Sequence, residues 1–294
     1  MTVALVTGAY GFAGTALCTV LSEAGWKVVP VGRTPVDLSE PAAVVALLDE
    51  VRPDVVFHLA ASSPQREPDP ALLVPGVVEP TLGLCLALRR LGLRPRVVLA
   101  GSSAQYGAVP AEQNPVTEDA QGHPVNAYGY AKAAAEAVAT ALALDGAYEL
   151  VPVRAFNHIG PGEPVTTVAG ALATRVAAVL AGTADRVRAA DLGAVRDFTD
   201  VRDIARGYLA LAEHGRPGRV YNLCSGRATS VGDVLDGLLA AAGLDGSIVD
   251  IVGGGTGGIP YQVGSPARIR AETGWAPRIP LATSLADLVS WRSV

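Results

Sequence analysis

The sequence predicts an α/β protein: a doubly wound parallel sheet with helices on both faces, and a smaller C-terminal α/β region. Three observations carry this. Short apolar runs alternate with amphipathic stretches through about the first 155 residues. A glycine-rich turn separates the first run from the first helical stretch. The chain has 294 residues, 50% hydrophobic and 17% charged, enough for one large domain or two coupled ones with a full core.

The elements follow in order. Val3-Ala4-Leu5-Val6 reads as a strand buried on both faces. Ala13, Ala16, Leu17, Val20, Leu21 and Ala24 recur at helical spacing, and Gly25 stops that helix. Lys27 to Val31 reads as a second strand, Ala42 to Val51 as a helix, and Asp54 to Leu59 as a third strand. Ala71 to Leu91 is helical in pattern but contains Pro75 and Pro80, which predicts a broken or late-starting helix. A strand over Arg96–Ala100, a long Ala-rich helix over Ala127–Leu144 and a strand over Glu149–Arg154 complete the alternation. Beyond residue 155 the rhythm loosens. Helices are expected over 168–181, 201–212, 231–242 and 284–291, with short strands at 220–223 and 248–252. This organisation predicts a dinucleotide-binding domain over 1–155, rejoined by about 197–225, and a mainly substrate-binding domain over 156–294. The Gly253–Gly258 run reads as a linker or a substrate lid.

Composition excludes several classes. A net charge of −5 supplies no basic face for nucleic acid or an acidic membrane. No uninterrupted apolar run reaches the roughly 20 residues of a membrane helix. The opening residues form a strand pattern and not a secretory leader. Cys18, Cys85 and Cys224 are far apart and contain no CxxC pair, so neither a disulfide framework nor a metal site is expected, and a reducing cytoplasm fits.

Gly8, Gly11 and Gly14 stand at GxxGxxG spacing in Thr7-Gly8-Ala9-Tyr10-Gly11-Phe12-Ala13-Gly14, between a strand and a helix. Glycine there permits a sharp turn, brings backbone N–H groups close to a pyrophosphate and packs helix on strand. This is the phosphate turn of a Rossmann-type fold. Tyr10, Phe12 and Ala13 belong to the same candidate cofactor site. The second strand should end at Gly32-Arg33, where a carboxylate would accept from an adenosine ribose. A neutral glycine followed by a guanidinium favours the 2′-phosphate of NADP over NAD. Reading Arg33 as a solvated loop residue leaves NAD open. Asp37 and Leu38 lie just beyond and could hold the adenine, although a turn-forming Asp explains that residue equally well.

Tyr128 and Lys132 are four residues apart on the long helix and share one face. A phenol with pKa about 10 is a poor base at neutral pH. A neighbouring ammonium stabilises its phenolate and could also hold a nicotinamide ribose. Lys27 and Lys132 are the only lysines in the chain. Ser102-Ser103 closes an earlier strand at the carboxyl end, where such sheets bind ligands.

Together with these motifs, Leu59-Ala60-Ala61, Ser102-Ser103-Ala104-Gln105-Tyr106-Gly107, Arg154-Ala155-Phe156-Asn157-His158-Ile159-Gly160-Pro161-Gly162, Arg196-Asp197-Phe198-Thr199-Asp200, Tyr221-Asn222-Leu223-Cys224-Ser225-Gly226 and Thr273-Gly274-Trp275-Ala276-Pro277 make the chain resemble the extended short-chain dehydrogenase/reductase (epimerase/dehydratase) family. Within it the motifs are most similar to the GDP-4-keto-6-deoxymannose reductases. The resemblance implies a triad of Ser102, Tyr128 and Lys132, with Ser103 as the nearby substitute and substrate contact. It implies cofactor contacts from Leu59, Ala60 and Ala61, a nucleotide-sugar contact from Asn157 and a diphosphate contact from Arg196. His158 is expected to be a structural loop histidine, and Tyr106 and Tyr130 to be packing or substrate-wall residues. The family's dimers pack the YxxxK helix and its predecessor into a four-helix bundle, so a homodimer is expected.

Three departures matter. Dehydratases of the family carry a carboxylate after the catalytic hydroxyl; Ala104 and Gln105 stand there, and neither can move a proton. The family's NxxGT motif before the fourth helix is replaced by Val77-Val78-Glu79-Pro80-Thr81. The second arginine of the family's diphosphate clamp falls on Gly255, and its following Asp on Ser265. The leading expectation is an NADP-dependent ketoreductase of a 4-keto-6-deoxy sugar nucleotide, with Tyr128 as proton donor. The alternatives are an epimerase with tightly held NAD and a non-catalytic NADP sensor or scaffold.

Overall fold

The computed structural model describes every residue except Arg33, Pro35, Gln65, Asp191, 254–257 and Val294. The first half runs β1 (Val3–Thr7), α1 (Phe12–Glu23), β2 (Lys27–Val31), α2 (Pro41–Val51), β3 (Val55–His58), α3 (Pro70–Leu73), α4 (Pro75–Leu91), β4 (Arg96–Ala100), α5 (Ala127–Ala143) and β5 (Glu149–Ala155). The second half runs β6 (Asn157–Ile159), α6 (Val168–Leu180), β7 (Val187–Ala189), β8 (Val195–Arg196), β9 (Phe198–Asp200), α7 (Val201–His214), β10 (Tyr221–Leu223), β11 (Thr229–Ser230), α8 (Val231–Ala242), β12 (Val249–Ile251), β13 (Tyr261–Gln262), α9 (Ala267–Thr273) and α10 (Leu281–Arg292).

Six strands form one parallel sheet in the order β10-β5-β4-β3-β1-β2. The order reverses between β1 and β3, and such sheets bind ligands at the carboxyl ends of the strands flanking that point. Leu17, Leu21, Ile204 and Leu211, from α1 and α7, bury one face of the sheet with Val6 and Phe57. Val44, Leu48, Leu84 and Leu88, from α2 and α4, bury the other with Leu5 and Val56. The strands are buried on both faces, which is why they read as continuous apolar runs. A second core gathers Leu172 and Val176 of α6, Val234 and Leu238 of α8 and Leu288 of α10 around Val187. The chain re-enters the main sheet through α7 and β10.

Two sequence expectations change. Pro75 opens α4, as a broken helix predicts, but Pro80 sits inside it. Proline lacks the N–H that would bond the carbonyl four residues back. That carbonyl, of Gly76, instead accepts from the backbone N–H of Ser62 at 2.9 Å. The helix therefore continues, and the Val77–Thr81 stretch lies within α4 and not ahead of it. Pro70–Leu91 is then 22 residues of helix, long and apolar enough by composition to cross a bilayer, contrary to the run-length expectation. Its Leu84, Cys85 and Leu88 are buried under the sheet, as in a core helix. The short strands between residues 157 and 200, β11, β13 and α9 have no clear periodicity in the sequence.

Candidate active site

At the end of β1 the chain turns through Gly8, whose φ is +68°. A Cβ on Gly8 would stand 2.8 Å from the Ala60 nitrogen, and one on Gly14 would stand 2.1 Å from the Gly8 carbonyl oxygen. No side chain fits either position. The N-terminus of α1, capped at Gly11 with no side-chain hydrogen bond, is left open for an anion. The glycines let the turn pack closely on Ala60 and α1 and leave the Gly11 end of α1 open beside the cavity, so the residues present fit a dinucleotide pyrophosphate.

Two adjoining cavities follow the switch point. The first, of about 390 Å³, is lined by Gly8, Gly11, Phe12, Ala13 and Gly14, by Leu59 and Ala61, and by Ser102, Ser103, Tyr128, Lys132 and Asn157. The second, of about 310 Å³, is lined by Gly8, Tyr10, Gly32, Asp37, Leu38, Leu59, Ala60 and Ala61. Among the described candidate site residues, all except Arg196 thus border one continuous cleft. Arg33 and Gly255 lie outside the described residues. A Cβ at Gly32 would meet the Tyr10 ring at 2.6 Å, so a carboxylate-bearing residue there would displace that ring. The Asp37 carboxylate accepts from Ser39 N–H at 2.9 Å, which makes it a turn-former at the cleft edge.

Arg196 does not line the cleft. It sits on β8 between β11 and β13, and its guanidinium donates to the Val195 carbonyl at 2.8 Å. Its neighbour Asp197 is fully buried and receives the Ser225 and Gly226 amides, each at 2.8 Å. The Asp197 carboxylate therefore holds the turn after β10 against the β8–β9 segment. Ser265 is also off the cleft; its N–H bonds the Val116 carbonyl.

Lys132 is buried, and its Nζ donates to the Ala100 carbonyl at 2.7 Å, 5.9 Å from the centre of the Tyr128 ring. Burial lowers the Lys132 ammonium to about 8. Burial pushes the Tyr128 phenol up to about 12, and a hydrogen bond with the Ser102 hydroxyl opposes that rise. The sequence expectation was a phenol made more acidic by the ammonium; here burial outweighs it, and Tyr128 holds its proton at neutral pH. The Ser102 backbone N–H donates to Gln105 Oε1 at 2.8 Å, and Gln105 Nε2 donates to Glu136 Oε2 at 2.8 Å. Glu136 pairs with Arg154 at 2.6 Å. Gln105 thus points away from the cleft and fixes the serine that opens the catalytic turn.

A second network was not visible in the sequence. Thr7 and His58 are register partners on β1 and β3. Ala60 N–H donates to Thr7 Oγ1 at 3.2 Å, Thr7 Oγ1 lies 2.8 Å from His58 Nδ1, and His58 Nε2 lies 3.1 Å from Thr81 Oγ1. Thr81 in turn donates to the Val77 carbonyl. The arrangement giving every hydrogen an acceptor has Thr7 donating to Nδ1 and Nε2–H donating to Thr81. Burial, with the nearby Lys132 charge, lowers His58 to about 3, so it stays neutral and joins the Gly8 turn to α4.

His158 belongs to a strand, not a loop. It lines the cleft and stacks on Phe12 with ring centroids 5.6 Å apart. Tyr106 is a packing residue: fully buried, it donates to Asn222 Oδ1 at 2.6 Å. Tyr130 is neither wall nor packing residue, being 61% exposed on the outer side of α5. Arg66, Ser62 and Glu163 border the cleft without any sequence motif to announce them.

A glycine phosphate turn at a parallel-sheet switch point, with a tyrosine, a lysine and a serine converging beside it, defines an NAD(P)-dependent oxidoreductase of the extended short-chain dehydrogenase/reductase type. Comparison with known proteins agrees. The model of the NAD dependent epimerase/dehydratase family matches residues 4–224, and the chain belongs to that family. It is 34% identical to the GDP-6-deoxy-D-mannose reductase of Pseudomonas aeruginosa, over 98% of this chain and 96% of that one. The solved structure of RMD from Pseudomonas aeruginosa, complexed with NADPH, superposes with a TM-score of 0.92 at 32% identity, covering 100% of this chain and 99% of the other. The UDP-glucose 4-epimerase of Thermus thermophilus, in complex with NAD, superposes with a TM-score of 0.88 at 25% identity, covering 99% of each.

Proposed function

We propose that the protein is an NADP-dependent ketoreductase that reduces the keto carbon of a 4-keto-6-deoxy sugar nucleotide. The observation that carries this reading is a phenol held protonated beside a serine hydroxyl at the mouth of the glycine cradle. Reduction of a ketone needs a proton for the nascent alkoxide, and a protonated Tyr128 is the group to give it. When bound, NADPH supplies the hydride. Ser102 hydrogen-bonds the carbonyl oxygen and Tyr128 donates to it. Lys132, a cation below about pH 8, stabilises the phenolate left behind until a proton from solvent restores the phenol. Gly8, Gly11 and Gly14 with Tyr10, Phe12 and Ala13 hold the pyrophosphate, Leu59, Ala60 and Ala61 wall the cofactor, and Asp37 and Leu38 border its adenine. Asn157 and Ser103 contact the substrate. Arg196, expected at the diphosphate, stands on β8 between β11 and β13 and is not among the residues that line the cleft. NADP is supported by the neutral Gly32 under the Tyr10 ring and by the NADPH of the Pseudomonas relative. Leu82, Leu86 and Tyr130 are exposed on α4 and α5, which supports a homodimer through those helices.

The test is a set of 4-keto sugar nucleotides, GDP-4-keto-6-deoxy-D-mannose first, assayed for loss of reduced-nicotinamide absorbance with NADPH and NADH in parallel. Turnover with NADPH is expected. Stoichiometric NAD released on denaturation, with no net consumption of NADPH, would overturn the reductase in favour of an epimerase.

A further inference from the structure

His158 stands on β6, half-buried, and borders the cavity that holds Ser102, Tyr128 and Asn157. Two contacts lock its ring. One face stacks on Phe12, with ring centroids 5.6 Å apart and planes inclined by 22°. Nδ1 lies 3.0 Å from the Phe156 carbonyl oxygen. A carbonyl can only accept, so Nδ1 carries the hydrogen. Burial holds the imidazole below its usual pKa, so the ring is neutral and Nε2 is a bare acceptor. Among the described residues no group of the protein bonds Nε2. Nor is Nε2 sealed in. Glu163, on the same cavity, offers a contrast: burial pushes its carboxyl up to about 7, and its unpartnered Oε2 is closed off. His158 Nε2 is unpartnered too but keeps contact with solvent.

A locked acceptor cannot swing round to find a donor, so the donor has to come to it. Chemistry narrows the choice. The phosphate oxygens of a dinucleotide or a nucleotide-sugar are anionic and accept; a ketone accepts as well. A hydroxyl donates. For its keto carbon to be reduced, the hexose must reach Ser102 and Tyr128 in this cavity, which brings its ring hydroxyls to the wall that His158 helps to form. We propose that His158 is a specificity residue of the substrate site, its Nε2 accepting a hydrogen bond from a ring hydroxyl of the bound hexose. This rests on the reading of the cleft as a nucleotide-sugar site. No proton is transferred: His158 orients the hexose, while Ser102 and Tyr128 act on the keto oxygen. The contact also discriminates, because a sugar lacking that hydroxyl leaves Nε2 desolvated and unpaired.

The experiment titrates GDP-D-mannose, GDP and NADPH, separately, into the unmodified protein, His158→Phe and His158→Gln. GDP-D-mannose carries the ring hydroxyls, and GDP lacks the hexose. Phenylalanine keeps an aromatic ring against Phe12 and removes the acceptor; glutamine returns an amide oxygen near the place of Nε2. GDP-D-mannose should bind His158→Phe about tenfold more weakly, with part of the loss recovered in His158→Gln. GDP and NADPH should bind all three proteins within about twofold of one another. A merely structural role would weaken GDP as much as GDP-D-mannose, or weaken NADPH. Either result, or no loss at all, overturns the assignment. Nitrogen NMR of the histidine-labelled unmodified protein gives a reading that needs no variant. The Nε2 resonance, identified through the contact of its ring with Phe12, should be that of a bare nitrogen and should move on addition of GDP-D-mannose but not of GDP. An Nε2 that already carries a proton, or one that GDP-D-mannose leaves in place while bound, overturns the assignment as well. Failure of the unmodified protein to bind GDP-D-mannose and GDP would instead overturn the nucleotide-sugar reading, and this one with it.

Discussion

The two halves of the molecule hold their shape by different means. In the sheet half, the site is set by backbone: a turn that excludes every side chain at Gly8 and Gly14, strand ends in parallel register, and a helix terminus left open. In the second half, buried carboxylates gather backbone amides from distant segments. Asp197 collects residues 225, 226 and 264, and Asp203 collects the amides of Arg278 and Ile279. The contrast teaches that chemistry and architecture are divided here. The sheet half carries the reacting groups, and the second half supplies the wall and the stability that holds it in place.

That division can be broken by experiment. Tyr128→Phe should lower turnover about a thousandfold while leaving NADPH affinity within about twofold, since only proton donation is lost. A matching loss of cofactor binding, measured by fluorescence titration, would show that the phenol builds the site. Asp203→Ala should cost about 2–4 kcal/mol in chemical denaturation by orphaning two amides and the Arg206 guanidinium, with NADPH affinity at moderate temperature unaltered. A changed affinity there would erase the line between the halves. Gly14→Ala should do the reverse: a Cβ 2.1 Å from the Gly8 oxygen forces the turn open, and NADPH binding should weaken by about tenfold or more with a smaller loss of stability. The pH profile gives the finest distinction. Lys132 is lowered to about 8 and Tyr128 raised to about 12. Reduction should therefore decline as pH rises through about 8, when the ammonium loses its proton, with no limb from the phenol below that. A profile flat to about pH 10 would remove Lys132 from the proton chemistry.

The same contrast explains what the sequence discloses. Gly8, Gly11 and Gly14, the apolar strands and the Tyr128–Lys132 pair obey local rules of backbone freedom and periodicity, so they are readable one window at a time. Arg196 has the motif but sits on a two-residue strand outside the cleft lining, a placement that no periodicity discloses. Glu163 and His58 are silent for a different reason. Their chemistry comes from burial, and burial is set by segments far along the chain, Thr7 and Thr81 for the histidine and Arg292 for the glutamate.

Pro80 gives the last lesson. The Gly76 carbonyl it leaves without a helical partner receives Ser62, so an imino acid in mid-helix moors the crossing segment after β3 to the scaffold. Ser62 and Arg66 of that segment both border the cleft, so the mooring also fixes part of its rim. Alanine at position 80 would restore the helical bond, set two donors competing for one oxygen, and loosen the mooring without touching a single atom of the catalytic cluster.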